Sequence, residues 1–175
     1  MRKFIALACF LAVLSVSALA VDTSTGFPRA EVFGGYQYTH LEGGGSANGF
    51  NFAANGNFND WFGVAFDLGS AYQSVGGVSA NNYTYTFGPV LSLRANKAYT
   101  PFVHALIGGD HASASFSGFS AGANGFALLA GGGVDGNVNR NLAIRVVQAD
   151  WMLLHGDGGT SSKNVRLSFG VVFKF

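Results

Sequence analysis

Apolar and polar residues alternate along most of the chain after residue 28. The pattern is longest at the end of the sequence, where every second residue is apolar: Val165, Leu167, Phe169, Val171, Phe173 and Phe175. A period of two places successive side chains on opposite faces of an extended strand. Comparable segments cover 29–40, 50–58, 62–72, 83–94, 101–111, 126–135, 142–153 and 164–175. The alternation therefore predicts eight β-strands.

Two of these segments depart from strict alternation. In the fifth, Phe102 and Leu106 share a face with His104 and Asp110. In the seventh, the phase changes near Val146–Val147. A β-bulge at this point adds one residue to the strand. The bulge would keep three polar residues on one face: Arg145, Gln148 and Asp150.

The connections between the segments alternate in length. Short turns are expected at 59–61, 95–99 and 137–141, and longer stretches rich in Gly, Ser and Asn at 42–48, 74–82, 115–124 and 155–163. Short turns at one end and longer loops at the other are typical of an outer-membrane barrel. A β-sandwich does not sort its loops in this way. Aromatic residues also sort into two predicted belts, one with Tyr36, Tyr38, Tyr72, Tyr83, Tyr85 and Trp151, the other with Trp61, Phe62, Tyr99, Phe173 and Phe175.

The start of the chain has the features of a secretory leader. A basic start precedes an apolar run, and Ala18 and Ala20 form the small-x-small pattern that precedes cleavage by signal peptidase. We expect a signal peptide over 1–20, a short N-terminal segment over 21–27 and a barrel over 28–175. The alternative, an uncleaved transmembrane anchor, needs a run of about 20 apolar residues. The single cysteine, Cys9, lies in the leader, so disulfides are not expected.

Composition narrows the class of protein. Gly accounts for 26 residues and charged residues for only 11% of the chain, against a usual share of about 25%. After the leader, no stretch approaches the roughly 18 consecutive apolar residues of a membrane helix. An exported chain of this kind is a secreted β-sandwich or a membrane barrel. The loop and aromatic patterns favour an all-β fold, an eight-stranded antiparallel up-and-down transmembrane β-barrel.

The inward faces of these strands carry most of the charge. The predicted lumen network contains Glu31, Asp67, Arg94, His104, Asp110, Asp135, Arg145, Asp150, Arg166 and Lys174. Strand order predicts four pairs: Asp67 with Arg94, Asp135 with Arg145, Asp150 with Arg166, and Glu31 with Lys174. Side chains fill the interior of an eight-stranded barrel, and buried charges must be paired. We therefore expect a closed core; an ion or proton path is the alternative.

Two polar motifs are interpreted as local structure. Gly131, Gly132 and Gly133 have no following Gly-Lys-Ser/Thr and no predicted helix, so small residues packing in a strand explain them better than a phosphate-binding loop. The segment 135–141 places oxygen-bearing side chains at calcium-loop spacing, but Arg140 and Val146 stand where the loop needs Gly and Glu. A tight polar turn is expected there.

The strand pattern and the terminal FGVVFKF resemble the family of eight-stranded bacterial outer-membrane barrels that includes the OmpA transmembrane domain and OmpX. The resemblance covers 28–175. It implies that Phe169, Val171, Phe173 and Phe175 form the signal read by the outer-membrane barrel assembly machinery. It also implies contact with lipopolysaccharide and phospholipid in the outer membrane of a Gram-negative bacterium. Such barrels serve many functions. We expect a non-enzymatic monomer with a structural or surface-interaction role through four external loops; its surface ligand is not identified, and no cofactor, metal or nucleic acid is expected.

Two alternatives remain. His111 and Ser113 resemble the His-x-Ser pair of the PagL family of outer-membrane lipid A deacylases, which implies an acyl hydrolase. However, the chain has no Glu after Glu42, and the next acid after Ser113 is Asp135 at the opposite end of its strand, so the histidine lacks an orienting acid. His40 and His155 are also expected beside loops, without the paired spacing of a metal site. The second alternative is a small channel or a transporter of lipophiles.

Overall fold

The computed structural model describes residues 26–42, 45–75, 78–116, 119–156 and 159–175. Eight strands cover almost all of them: β1 Ala30–Leu41, β2 Gly45–Asn57, β3 Phe62–Val75, β4 Val78–Ser92, β5 Tyr99–Phe116, β6 Phe119–Asn137, β7 Leu142–Gly156 and β8 Gly159–Lys174. Each strand pairs antiparallel with the next, and β8 pairs with β1 to close the barrel. The predicted fold class and strand number are confirmed.

Closure depends on the last strand of the chain. Glu31 opposes Lys174 at one limit of the β1–β8 ladder and His40 opposes Val165 at the other. Beyond the ladder, the Phe175 N–H donates to the Ala30 carbonyl at 2.8 Å and the Arg29 N–H donates to the Phe175 carbonyl at 2.7 Å. The C-terminal residue therefore completes the barrel seam with backbone hydrogen bonds, which leaves no free strand edge there.

The two ends of the barrel differ. We call the end with both chain termini the terminal end; it also holds the connections 58–61, 93–98 and 138–141. Each connection contains an asparagine whose Oδ1 accepts a backbone N–H two residues later: Asn59 from Trp61, Asn96 from Ala98 and Asn139 from Asn141. Asparagine favours such turns because its side chain substitutes for a backbone acceptor.

The opposite end, which we call the hairpin end, contradicts the expected loop lengths. The strands there are separated by only two or three residues, at 42–44, 76–77, 117–118 and 157–158. Most of the segments expected to form long loops are paired strand instead; the β5–β6 ladder continues to Phe116 opposite Phe119. Gly, Ser and Ala are weak strand formers, but pairing within each hairpin satisfies their backbone groups and extends the ladder.

The bulge in the seventh segment is confirmed. Val146 and Val147 both lie on the outside, while Arg145 and Gln148 are both buried. The register of β7 shifts between Arg145 and Gln148 against β8 and near Val134–Asp135 against β6. The additional residue returns the polar face of β7 to the lumen.

Aromatic and aliphatic side chains cover the outside of the barrel. Trp61, Tyr99 and Phe173 are exposed toward the terminal end. Toward the hairpin end, Tyr72 and Tyr83 meet edge to face with ring centroids 6.0 Å apart, and Tyr36 lies 5.3 Å from Phe169. Exposed apolar side chains over a whole strand surface are expected where the surrounding solvent is lipid. Within the described residues, no helix is long and apolar enough to span a membrane.

Candidate functional site

The lumen is centred on the guanidinium of Arg166 on β8, which is fully buried. Its Nη1 donates to Asp67 Oδ1 at 2.7 Å and its Nε donates to Asp150 Oδ2 at 2.8 Å. Asp67 lies on β3, and β1 and β2 separate that strand from β8 in the barrel wall. The contact therefore crosses the interior. One cation holds two carboxylates, and the charge-assisted bonds are of the strong class.

Asp150 connects this centre to two further side chains. His104 Nε2 lies 2.8 Å from Asp150 Oδ1, and Gln148 Nε2 donates to Asp150 Oδ2 at 2.7 Å. An ionised carboxylate only accepts hydrogen bonds, so the His104 Nε2 carries the proton in this contact. The expected pair of Asp150 with Arg166 is present, and His104 joins it from β5.

Arg145 forms the second centre. Its Nε and Nη2 donate to the two oxygens of Asp135 at 2.8 and 3.1 Å, the bidentate geometry that guanidinium and carboxylate favour. The guanidinium also lies between two rings, 4.3 Å from the centroid of Phe33 and 4.2 Å from that of Phe102. Cation–π contact on both faces adds to the ion pair. Arg145 Nη1 donates to Gln148 Oε1 at 2.7 Å, which joins both centres into one network.

Two of the four expected pairs are wrong. Asp67 bonds Arg166, whereas Arg94 Nη2 donates to Glu31 Oε2 at 3.0 Å. Asp67 opposes Thr86 on β4, and Arg94 lies eight residues farther along the chain. At about 3.3 Å per residue, this separation of roughly 26 Å exceeds the reach of any side chain. The expected pair was assigned because β3 and β4 are neighbours, without regard to the position of each residue along the barrel axis or to contacts across the lumen.

Lys174 also has a different partner from the one expected. It opposes Glu31 in the β1–β8 register, but its Nζ donates to Asn137 Oδ1. Glu31 instead accepts from Arg94 and, at 3.3 Å, from Asn57 Nδ2. Register opposition brings two Cα atoms together but does not fix which partner a long side chain reaches.

Asp110 lies apart from this network, toward the hairpin end. Its Oδ2 accepts from Asn82 Nδ2 at 3.2 Å. On β5, Leu106 stands between His104 and Asp110, and its ladder neighbours Leu129 and Met152 are likewise buried. This apolar layer separates Asp110 from the charges below. From the sequence, Leu106 was placed on the polar face, but the layer was not identified. The alternation of inward and outward residues along β6 and β7, which turns Leu129 and Met152 inward, could have revealed it.

One cavity among the side chains of the network is small. A cavity of about 10 Å³ lies among Asp67, His104, Arg145 and Gln148. This volume is close to the smallest that holds one water molecule. A second apolar cluster, Phe33, Ala53, Ala143 and Val172, fills the lumen toward the terminal end. Polar and apolar side chains thus fill the interior together.

Gly131 makes room for the network within the wall of β6. A Cβ at this position would lie 2.2 Å from Asp150 Oδ1 and 2.3 Å from the Ala149 carbonyl oxygen. Gly132 and Gly133 approach backbone carbonyls of β5 and β7 similarly closely. The three glycines lie inside β6, away from any helix, so they serve strand packing. Asp135 is bound to Arg145, and Asn139 closes a turn, as expected for a tight polar segment.

The candidate hydrolase and metal residues lie on the outer face near the hairpin end. His111 Nδ1 lies 2.7 Å from Asn124 Oδ1 and His155 Nδ1 lies 2.7 Å from Thr160 Oγ1. In the described part of the chain, no hydrogen bond joins His111 to Ser113, and no cluster of three or more His, Cys, Asp or Glu forms a metal site. His40 is exposed and opposes Ser46.

Three of the residues expected to form the assembly signal share the outer face of β8. Phe169, Val171 and Phe173 are exposed there, and Phe175 is half-buried beyond the end of the strand. They alternate with inward-facing Gly170, Val172 and Lys174. The predicted cleavage residues Ala18 and Ala20 lie outside the described residues.

Comparisons with known proteins agree with this architecture. The model of the outer membrane protein β-barrel domain family matches residues 6–175. The fold resembles Ail of Yersinia pestis, with 21% identity, a TM-score of 0.60 and coverage of 85% of this chain and 99% of Ail. It also resembles Neisserial surface protein A, with 18% identity, a TM-score of 0.67 and coverage of 83% of this chain and 96% of that protein.

A third similar structure is the N-terminal barrel domain of Pseudomonas aeruginosa OprF, with 14% identity, a TM-score of 0.57 and coverage of 85% of this chain and 99% of that domain. A comparison with curated protein sequences found no match. At these identities the solved structures show the fold, while the family model covers nearly the whole chain. The protein therefore belongs to the outer membrane protein β-barrel domain family and is an outer-membrane protein of a Gram-negative bacterium.

Proposed function

We propose that this protein is a non-enzymatic surface barrel whose lumen is permanently closed and whose hairpin end acts outside the cell. The observation that carries the proposal is the Arg166 centre, where side chains from β3, β5, β7 and β8 meet across the lumen. Eight strands enclose a space that side chains can fill. Ions would have to break several buried ion pairs to pass.

The direction of the charges supports a structural role for the network. A Lys or Arg facing lipid at the bilayer midplane costs about 2–4 kcal/mol in a membrane barrel. Turned inward, Arg145 and Arg166 each reach carboxylates at hydrogen-bond distance. The inward positions therefore avoid the lipid cost, and pairing offsets the cost of burying each charge.

The length of the strands supports a role at the surface. A strand crosses the membrane in about 9–11 residues, whereas β5 and β6 have 18 and 19. The β3–β4 ladder reaches Val75 opposite Val78, and β4 remains paired with β5 to Ser79 opposite Ser115. These four strands form one sheet that extends beyond the membrane. Its paired backbone gives a rigid surface for interaction, in place of the four long external loops expected from sequence.

Partners follow from the remaining surfaces. The apolar outer face fits acyl chains of phospholipid and lipopolysaccharide, with the hairpin end on the lipopolysaccharide side. We propose that Phe169, Val171, Phe173 and Phe175 are read by the barrel assembly machinery after removal of a signal peptide over 1–20. Because closure removes the strand edges within the membrane, the barrel has no requirement for a partner copy.

An epitope insertion tests the orientation on which the surface role depends. An epitope placed after Phe116 should be bound by antibody on intact cells, and one placed after Asn139 should be bound only after permeabilisation. The reverse labelling would overturn the proposal. Both proteins must first show that they are folded, by a different mobility of boiled and unboiled samples in a detergent gel.

A lipid A mass spectrum separates this proposal from a hydrolase that uses His111 and Ser113. Cells with and without the protein should give the same acylation pattern. Loss of an acyl chain that depends on both residues would establish the enzyme instead.

A further inference from the structure

A cavity of about 320 Å³ opens at the hairpin end, between the β5–β6 and β7–β8 hairpins. We call it the vestibule. It exists because the β6–β7 ladder ends where Gly125 opposes Gly156, while the β5–β6 ladder continues to Phe116 opposite Phe119. The β5–β6 hairpin therefore extends past the tip of the β7–β8 hairpin, where Gly156 opposes Gly159. The volume falls within the range of small-molecule sites.

Asp110 lies at the base of the vestibule and is 7% exposed. Its Oδ2 accepts from Asn82, but its buried Oδ1 has no hydrogen-bond partner. The other lumen acids, Glu31, Asp67, Asp135 and Asp150, each bond an arginine. Among the described residues, Asp110 is the lumen acid without an ion pair. A buried carboxylate in this state is stabilised by a positive partner or by protonation.

The wall of the barrel is shaped around this carboxylate. A Cβ at Gly125 would lie 2.4 Å from Asp110 Oδ1 and 2.8 Å from the His155 carbonyl oxygen. Glycine at this position therefore leaves the space that Asp110 Oδ1 needs. The apolar layer of Leu106 keeps Asp110 away from Arg166 and its network, so no arginine of that network reaches this acid.

The remaining lining is small or apolar apart from Asn124, His155, Thr160 and Ser161; His155 and Thr160 bond each other, and Asn124 bonds His111. Ala112 opposes Ala123 across the β5–β6 ladder, and Leu154 faces them from β7. Ser161 is occupied by hydrogen bonds with Asn164. Ca²⁺ or Mg²⁺ would need six or more oxygen ligands, and one carboxylate with a neighbouring amide does not supply them. A single carboxylate beneath walls of small residues, with the polar groups at the rim bonded to one another, fits a different ligand.

We propose that the vestibule binds a small organic cation, a protonated primary amine on a short apolar body, with the ammonium on the Asp110 carboxylate. The body would pack against Ala112, Ala123 and Leu154. This inference deepens the proposed surface role by naming a ligand class for the hairpin end. Its failure would leave the closed lumen and the extended sheet unaffected, because neither depends on Asp110.

The test is an NMR titration of the refolded barrel in micelles with 1-aminobutane, following the amide signals of Gly125 and Leu154. Saturable shifts are expected, with 1-butanol and Ca²⁺ producing none. Asp110→Asn should weaken amine binding about 10- to 100-fold, because a charge-assisted hydrogen bond is lost. Asp60→Asn, which alters an exposed acid at the terminal end, should leave binding unchanged.

A second variant keeps the carboxylate and removes the space. Ala123→Leu should abolish amine binding while the barrel retains its heat-modifiable mobility, so the test stands even if Asp110→Asn fails to fold. Absence of saturable shifts in the native protein would overturn the proposal. Equal binding by Asp110→Asn, or binding of Ca²⁺ that the amine cannot displace, would also overturn it.

Discussion

Arg166 and Asp67 are 99 residues apart in sequence, yet Arg166 Nη1 donates to Asp67 Oδ1 at 2.7 Å across the barrel interior. The contact joins the final strand, which closes the barrel, to the third. It can form only once β8 has reached β1, so it stabilises the closed state specifically. The network around it accounts for both the filled lumen and the inward direction of the charges.

Arg166→Met should destabilise the barrel more than any single acid replacement, because it leaves both Asp67 and Asp150 without their cation. Loss of one partner of a buried pair costs about 3–5 kcal/mol. The triple variant that adds Asp67→Asn and Asp150→Asn should recover part of the loss. Urea unfolding of the refolded barrel in detergent measures the change; equal stability of the single and triple variants would show that unpaired charge is not the cause.

Arg145→Leu should lower the free energy of unfolding by about 3 kcal/mol, since it leaves Asp135 unpaired and removes the cation between Phe33 and Phe102. Arg140→Leu is the matched control, because Arg140 is exposed in the 138–141 turn. Its effect should stay within about 0.5 kcal/mol. Similar melting temperatures for the two variants would contradict the role of the Arg145 centre.

Gly131→Ala should destabilise the barrel, since its Cβ would meet Asp150 Oδ1 at 2.2 Å and a backbone carbonyl that cannot move aside. Gly56→Ala, also in a strand, has nothing within 4 Å of the added Cβ and serves as the control. We expect a loss of about 1–3 kcal/mol for the first and little change for the second. A neutral Gly131→Ala variant would show that the wall at Asp150 is not closely packed.

Deletion of Phe175, or Phe175→Ser, should reduce the amount of assembled barrel in cells far more than it reduces stability in detergent. An assembly signal acts before folding, whereas an aromatic residue at the interface adds only anchoring. Comparison of heat-modifiable protein in outer membranes with unfolding of the refolded variant measures both quantities. Equal losses would indicate that Phe175 acts only through packing and closure of the seam.

Glu42 connects the β1–β2 hairpin to β8 in a pH-dependent way. Its Oε2 accepts from the backbone N–H groups of Ser162 at 2.8 Å and Lys163 at 3.3 Å. These bonds favour the ionised form and hold the pKa of Glu42 below its usual 4.5. A depressed carboxyl pKa means that the stabilisation is present above pH 4.5 and is lost as the pH falls through the lower folded-state pKa.

The amide signals of Ser162 and Lys163 should therefore titrate together below pH 4.5, the usual pKa of the Glu42 carboxyl. The Glu42→Gln variant should show no such titration. Titration of these amides near neutral pH, or its persistence in Glu42→Gln, would exclude Glu42 as the cause.

The sequence predicted the barrel itself because a period of two is a local property. It identified eight strands and the bulge at Val146–Val147, and most of the charges that it placed inward are buried. Contacts across the lumen could not be predicted, because they depend on how closure curves β3 toward β8. The pairs of Asp135 with Arg145 and Asp150 with Arg166 join neighbouring strands, so strand order alone was sufficient to predict them.

The hairpin end shows a second limit. Gly, Ser and Asn between strong strand segments predict loops on composition, yet the structure pairs most of these residues as strand. Composition measures the intrinsic preference of each residue, whereas an existing ladder supplies hydrogen-bond partners that outweigh it. The vestibule follows from this extension, and of its lining residues Asp110 and His155 were visible as candidates in the sequence.

Single-barrel conductance in planar bilayers tests the closed lumen most directly. The purified, heat-modifiable barrel should insert without adding steady current, and Arg145→Leu should be equally tight because Phe33, Phe102 and the apolar clusters still fill the interior. A steady, reproducible conductance from single native barrels would contradict the account, since ions would then pass where Arg166, Asp67 and Asp150 are joined.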